Sequence, residues 1–199
     1  PLVIDSVVYF PGRDSTVYAL RTKDGSELWK CRLGADPLLR LAQVGENLIT
    51  GAIDSVITLI SRKDGRAIAT KKLNMRPVKL PLVTDSMIYI YLGNKNNEPL
   101  AIAAFTRDLK TERWRASTTD LANSPYFCSN RLTRANGAIL AGTYDGKILA
   151  FDELDGEYVW ELKLSGPITL VQAVDSMVLG GNLSGLVTLQ SPKQGIKRH

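Results

Sequence analysis

The chain has 199 residues, 44% of them apolar and 23% charged, which is the composition of a globular protein that can bury a sizeable core. Its formal net charge is +5, and no apolar run approaches the roughly 18 residues of a membrane-spanning helix. A single histidine, His199, and two distant cysteines, Cys31 and Cys128, exclude the usual zinc spacings and leave no Ser-His-Asp or Cys-His set.

The predicted elements are short strands, and they recur in similar units along the chain. The first unit is predicted to hold, in order, a strand at 1–9, a turn at 11–15, a strand at 17–21, a turn at Asp24-Gly25 and a strand at 27–33. The third unit opens at 81–89 with nearly the same residues that open the first at 1–9. The chain therefore repeats one supersecondary unit.

A tryptophan position gives the length of the repeat. It is occupied by Trp29, Ala69, Trp114, Trp160 and His199, at intervals of 39 to 46 residues. A period in this range indicates a repeat architecture. The sequence predicts five units, at approximately 1–34, 35–75, 76–118, 119–166 and 167–199.

Each unit contains about four short runs that are rich in Val, Ile, Leu, Tyr and Thr. Asp-Gly or Ser-Gly pairs between runs are typical of tight hairpins, because glycine adopts positive φ without steric cost. Middle strands such as 148–151 are apolar on both faces, so both faces must be covered. No segment sustains a helical period. We therefore predict an all-β fold, a β-propeller of four-stranded antiparallel blades.

The segment 142–160 resembles the repeat of the PQQ-like (pyrroloquinoline quinone) β-propeller family. It carries a Gly, an Asp-Gly turn, the run Ile-Leu-Ala-Phe-Asp, a second Asp-Gly turn and a closing Trp160. The first unit matches nearly as well, whereas the second has Ala69 in place of the Trp and the third lacks the glycine turn. The resemblance covers the whole chain. It implies that the tryptophans dock between neighbouring blades as part of the core.

The resembled family contains several functional classes. It includes quinoprotein dehydrogenases, non-catalytic propellers such as the lipoprotein scaffold of outer-membrane barrel assembly, and propellers attached to enzymes and receptors. The dehydrogenases carry adjacent cysteines and calcium ligands, and Cys31 and Cys128 are not adjacent. The resemblance therefore implies a non-catalytic scaffold that binds protein partners, with no cofactor. Two alternatives stay open: a fragment of a PQQ-dependent dehydrogenase, or the ligand-sensing propeller domain of a receptor or multidomain enzyme.

The number of units leaves two ring geometries open. Five blades close into a ring by themselves, or they form part of a larger seven- or eight-bladed ring. The larger ring is favoured, because a five-unit fan leaves an apolar blade face uncovered at each end. Family resemblance favours a periplasmic, luminal or extracellular location. The sequence does not indicate an oligomeric state.

The strongest local charge is a basic run opposed by one acid, Asp64. The run consists of Arg62, Lys63, Arg66, Lys71, Lys72, Arg76 and Lys79. It covers the predicted outer strand of the second unit and the crossing into the third. Lysines on an exposed edge strand discourage edge-to-edge pairing; alternatively, the run is a docking face for an acidic protein partner or another polyanion. Nucleic acid is not expected, because no aromatic residues are interleaved for stacking.

Two long loops and one acidic turn complete the candidate surfaces. The loops at 93–99 and 117–125 are predicted to carry recognition, since loops on a rigid scaffold carry function. The acidic residues between 152 and 157 do not have the alternating order of a calcium loop. We therefore predict that they are solvated charges in a hairpin turn.

Overall fold

A computed structural model describes residues 1–117, 127–175, 177–185 and 187–190. Over these residues nineteen strands form five antiparallel sheets, and no helix occurs. A helix with the length and apolarity needed to cross a membrane is accordingly not found in this part of the chain. The all-β prediction is confirmed.

The sheets follow one another along the chain, and we number them blades 1 to 5. Blade 1 contains β1 (Leu2–Ile4), β2 (Val7–Pro11), β3 (Thr16–Arg21) and β4 (Glu27–Arg32). Blade 2 contains β5 (Ala42–Val44), β6 (Asn47–Gly51), β7 (Val56–Ser61) and β8 (Ala67–Lys72). Blade 3 contains β9 (Arg76–Val83), β10 (Met87–Gly93), β11 (Pro99–Thr106) and β12 (Glu112–Ser117). Blade 4 contains β13 (Thr133–Ala135), β14 (Ala138–Gly142), β15 (Lys147–Asp152) and β16 (Tyr158–Lys163). Blade 5 contains β17 (Ile168–Val174), β18 (Met177–Asn182) and β19 (Val187–Gln190).

Each blade is a meander in which consecutive strands pair antiparallel. The turn between the third and fourth strands depends on the predicted Asp-Gly pair in blades 1, 2 and 4, where Gly25, Gly65 and Gly156 have φ of 72°, 73° and 75°. In the same three blades the pairing of the third and fourth strands shifts by one residue close to this turn, for example between Leu59 and Ile60. The predicted hairpin turns are confirmed.

The first strand of each blade lies at the centre of the array. Leu80 in β9 forms a parallel bridge with Arg131, which precedes β13, and β17 lies beside β13. The fourth strands form the opposite edges, and four of the six residues of β8 are exposed. The blades therefore radiate from their first strands, as in a propeller.

The hydrophobic core lies between blades rather than within them. In β15, Ile148 and Ala150 pack into a cluster shared with blade 5, whereas Leu149 and Phe151 pack into a cluster shared with blade 3. Two further clusters join blade 1 to blade 2 and blade 2 to blade 3. In blades 2, 3 and 4 both faces of the middle strands are thus covered by neighbours, which is the propeller arrangement predicted from their apolar residues.

Among the described residues, two tryptophans donate a hydrogen bond across a blade junction. The Trp29 indole Nε1 donates to the Arg62 carbonyl at 2.9 Å, and its ring lies against Gly65. Trp114 repeats this arrangement in blade 3: its Nε1 donates to the Glu153 carbonyl at 3.0 Å. Both rings are buried. Trp160 is half-buried, and the turn that corresponds to these in the fifth unit lies outside the described residues.

The junction between blades 2 and 3 uses another pair of residues. Ala69 occupies the tryptophan position, and Leu109 occupies the glycine position of the next turn with φ of 61°. Leu109 is buried in the same cluster that Ala69 packs against. The large side chain is therefore on the turn instead of the strand, and the junction remains filled.

The prediction that the charges at 152–157 are solvated is wrong for Glu153. Its side chain is only 8% exposed, and it accepts hydrogen bonds from Arg134 Nε at 2.7 Å and the Tyr89 hydroxyl at 3.3 Å. The reason is its place in the turn on which Trp114 docks. A residue there lies under the preceding blade, and neither a charge pattern nor a turn motif reveals that contact.

The fourth strand of the fifth unit and the predicted loop at 117–125, apart from Ser117, lie outside the described residues. The limits of the five units and the choice between a closed ring and a larger ring stay predictions.

Candidate functional site

The basic run begins in the turn between β7 and β8. There the Arg62 guanidinium contacts Asp5 at 3.4 Å and Glu46 at 3.2 Å, while its carbonyl accepts the Trp29 hydrogen bond. Arg62 therefore fastens blade 2 to blade 1. Lys63 and Arg66 are exposed in the same turn, so they are the members of the run that this end of the blade presents to solvent.

Two lysines of the run lie on the outer strand β8. Lys71 Nζ donates to the Lys110 carbonyl at 3.2 Å and lies 5.9 Å from the centre of the Phe105 ring. Lys72 Nζ donates to the Asp54 carbonyl. Since β8 is the edge of its sheet, both residues have the position that hinders edge-to-edge pairing.

The last two residues of the run belong to the first strand of blade 3. Arg76 donates to the Lys95 carbonyl at 2.7 Å. Lys79 points inward, where its Nζ donates to the carbonyls of Cys128 and Ser129 at 3.0 and 2.9 Å. Burial lowers the pKa of the Lys79 ammonium. The run is therefore distributed over a turn, an outer edge and an inner strand, and its role in partner binding stays a prediction.

The predicted recognition loop at 93–99 is ordered by its own hydrogen bonds. Asn94 Oδ1 accepts from the backbone N–H groups of Asn96 at 2.9 Å and Glu98 at 3.1 Å. Its amide nitrogen donates to the Glu98 carboxylate at 2.6 Å. The loop is thus presented in one defined conformation at the blade end that also holds Arg76.

A cavity of about 600 Å³ lies among the first strands, and we call it the axial cavity. Its charged lining residues are Arg40, Lys79 and Arg131. Our sequence reasoning missed Arg40 and Arg131, because both lie outside the basic run. The repeat contains a signal for them: each of the three residues precedes a leucine and lies four positions before Val44, Val83 or Ala135.

Metal-binding and thiol groups were also sought in the described part of the chain. No group of three or more His, Cys, Asp or Glu side chains is placed there to hold a metal ion. Cys31 and Cys128 are free thiols, and burial raises the pKa of both.

The radiating meanders, the interblade tryptophans and the Asp-Gly turns define a β-propeller built from PQQ-like repeats. The resemblance noted in the sequence is confirmed. The sequence profile of the family described as outer membrane protein assembly factor BamB matches residues 13–178, and the chain belongs to that family.

Comparison with an individual protein of the family agrees with the profile match. The chain is 24% identical over 198 residues to outer membrane protein assembly factor BamB from Burkholderia pseudomallei strain K96243, with 98% of this chain and 50% of that protein covered. It therefore spans about half the length of this curated relative.

Solved structures reproduce the fold. The crystal structure of BamB from Moraxella catarrhalis superposes with a TM-score of 0.73 at 19% identity, covering 97% of this chain and 57% of that one. The quinohemoprotein alcohol dehydrogenase from Comamonas testosteroni gives a TM-score of 0.73 at 14% identity, covering 98% and 41% of the two chains. These likenesses show the fold alone.

Proposed function

We propose that this chain is a non-catalytic scaffold propeller that binds protein partners during the assembly of outer membrane proteins. The observation that carries the proposal is the family match over residues 13–178, which includes complete sheets of blades 2, 3 and 4. The relative in Burkholderia pseudomallei is aligned along nearly the whole of this chain.

The geometry supports a scaffold because its polar interior is engaged in joining blades. Arg62 and Glu153 are both committed to junctions, through side-chain contacts with Asp5 and Tyr89 and through backbone carbonyls that bind tryptophans. In the described residues, every buried side-chain nitrogen or oxygen has a hydrogen-bond partner. A stiff body of this kind holds its loops at fixed positions, which reduces the ordering cost of binding.

The loop at 93–99 is the recognition element that we assign within this proposal. Asn94 already fixes the loop through three hydrogen bonds, so little conformational entropy is lost when a partner binds. Lys63 and Arg66 supply exposed positive charge in the turn between β7 and β8 of blade 2 and suit a partner with an acidic surface. These are two separate surfaces, and each can be altered without the other.

The test is deletion of the gene in its host, followed by measurement of folded outer membrane proteins. We expect their amount to fall and to recover when the wild-type protein is supplied. A loop variant, Asn94→Gly with Asn96→Gly, is expected to restore less. The control Lys23→Ala, in an exposed turn at the opposite blade end, is expected to restore fully. Unchanged outer membrane protein levels after deletion would contradict the proposed function.

The dehydrogenase alternative has no specific observation in its favour. The likeness to quinohemoprotein dehydrogenase, at 14% identity, concerns the fold. Dye-linked oxidation of alcohols, measured after addition of the quinone and calcium, is expected to give no turnover. Turnover under those conditions would restore the dehydrogenase alternative.

A further inference from the structure

The axial cavity has a wholly basic charged lining. It is formed by the first strands of blades 3 and 5 and by the segments that enter blades 2 and 4. Arg40, Lys79 and Arg131 line it, and Asn130 and Thr169 add polar groups. Of the described residues at its wall, none is Asp or Glu. Three cations therefore line one open cavity, and no carboxylate is among the lining residues.

This concentration of charge is built into the repeat. Arg40, Lys79 and Arg131 occupy the same position in units two, three and four, each followed by a leucine. Because first strands converge, equal positions in successive units meet at the axis. None of the ion pairs among the described residues involves any of the three.

Lys79 is held in place at a conformational cost. Its φ is 62°, in the left-handed region that side chains rarely adopt, and the pairing of β9 with β10 is irregular there. Its ammonium has three donors, of which two are used by the carbonyls of Cys128 and Ser129. Backbone strain of this kind concentrates at functional sites. The ammonium also lies 5.6 Å from the centre of the Tyr91 ring, so three contacts fix Lys79 in the cavity wall.

We propose that the axial cavity binds a small polyvalent oxyanion, either a polycarboxylate or a phosphate compound. Guanidinium groups bind both through paired hydrogen bonds, and Arg40 and Arg131 provide two of them from different blades. A volume of about 600 Å³ lies within the range of small-molecule sites. Asn130 and Thr169 supply neutral donors beside the charges. The anion site is independent of the proposed scaffold role, because its ligand would bind in the axial cavity and not on the 93–99 loop.

The test is calorimetric titration of the 199-residue chain with citrate and, separately, with pyrophosphate at low ionic strength. We expect saturable binding with one site per chain for at least one probe, and affinity that falls as salt is raised. Arg40→Gln and Arg131→Gln are each expected to weaken binding about tenfold, because each removes a charge-assisted contact. Arg13→Gln is the matched control: it removes the same charge from an exposed turn between β2 and β3, outside the cavity and outside the basic run, and is expected to leave affinity unchanged.

The outcomes distinguish a carboxylate ligand from a phosphate ligand, and both of these from a cavity that binds no anion. Binding of citrate alone identifies a carboxylate ligand, and binding of pyrophosphate alone identifies a phosphate ligand. Absence of saturable binding for both probes overturns the proposal, as does an equal loss of affinity in Arg13→Gln and the cavity variants. Thermal unfolding of each variant verifies its fold. Neither result bears on the gene-deletion assay, so the two proposals fail separately.

Discussion

Opposite charges occupy the same repeat position at two blade junctions. Arg62 and Glu153 both follow the third strand of a blade, and the backbone carbonyl of each accepts the indole N–H of a tryptophan. Arg62 pairs with Asp5 and Glu46, whereas Glu153 pairs with Arg134. The repeat therefore fixes the backbone contact and leaves the side-chain charge to local partners. This is why the charge of Glu153 alone was a poor guide to its burial.

Buried tyrosines predict a loss of stability at alkaline pH. Burial raises the pKa of Tyr91, which is hydrogen-bonded to Ser129 at 2.7 Å, and also that of Tyr89. In the unfolded chain these phenols ionise near their ordinary pKa of about 10. Above that pH the unfolded state binds fewer protons than the folded state, so the free energy of unfolding falls as pH rises. Below it, this contribution to stability is fully present.

The measurement is urea unfolding of the wild type and Tyr91→Phe from about pH 8 to 11.5. We expect the decline above pH 10 to be shallower in Tyr91→Phe, because one buried phenol no longer titrates. Tyr144→Phe, at a tyrosine that is 47% exposed, is the control and should follow the wild type. Identical alkaline slopes for all three proteins would show that Tyr91 does not contribute.

At the scale of the blade, three turn glycines allow the energetic cost of backbone strain to be distinguished from the cost of disturbing a tryptophan contact. A Cβ atom added to Gly65 would lie 2.6 Å from the Trp29 ring, and one added to Gly156 would lie 2.4 Å from the Trp114 ring. At Gly25 nothing lies within 4 Å. The three residues have almost the same φ, so alanine adds the same backbone strain at each.

We expect Gly65→Ala and Gly156→Ala to be less stable than Gly25→Ala by about 1–3 kcal/mol, the usual cost of overpacking. Chemical denaturation of the three variants measures the difference, and Gly25→Ala cancels the strain that they share. Equal losses in all three would mean that the tryptophan contact is energetically neutral.

The junction of blades 2 and 3 predicts a compensating exchange. Leu109→Gly opens a cavity beside Ala69, with an expected loss of about 2–5 kcal/mol, and Ala69→Trp overfills the same cluster. The double variant restores the arrangement that Trp29 and Gly65 have at the preceding junction. A double-mutant cycle should therefore give a loss smaller than the sum of the single losses. An additive result would indicate that the two sites do not share a space.

What the sequence predicted correctly is mostly local. Asp64-Gly65 and Asp155-Gly156 specify turns through the properties of the two residues themselves, and the continuous apolar run in strands such as β15 specifies a sheet covered on both faces. The filling of the Ala69 junction by Leu109 depends on residues 40 positions apart. No propensity or turn motif records such a contact, so it became visible only when neighbouring blades were packed together.

The candidate site was predictable only in part at the scale of the molecule. The basic run was evident as a cluster along the chain. In the folded chain its members separate: Arg62 lies at a blade junction and Lys79 lines the axial cavity. Arg40 and Arg131 join Lys79 there because their repeat positions coincide, although they lie 39 and 52 residues from it. In a propeller, residues at the same position of different repeat units lie close together even when they are far apart along the chain.

Blade 1 has an apolar face that no described blade covers. The side chains opposite the junction with blade 2 are Val3, Val8, Phe10, Tyr18, Leu20 and Leu28. Val3 is 60% and Leu28 is 40% exposed, and the four described core clusters join only consecutive blades. A contiguous apolar face of this kind is normally buried against another surface. We propose that a further blade covers it in a larger ring.

In the 199-residue chain the same face should cause association. We expect sedimentation velocity to show a shift to larger species as concentration rises from about 1 to 100 µM, since burial stabilises by roughly 25 cal/mol per Å² of apolar surface. Val8→Thr with Leu20→Thr, a cross-strand pair on this face, should reduce the shift. Leu154→Thr, at an isolated exposed leucine, should not. A chain that stays monomeric throughout, with no effect of the pair, would mean that blade 5 covers blade 1 and that five blades close the ring.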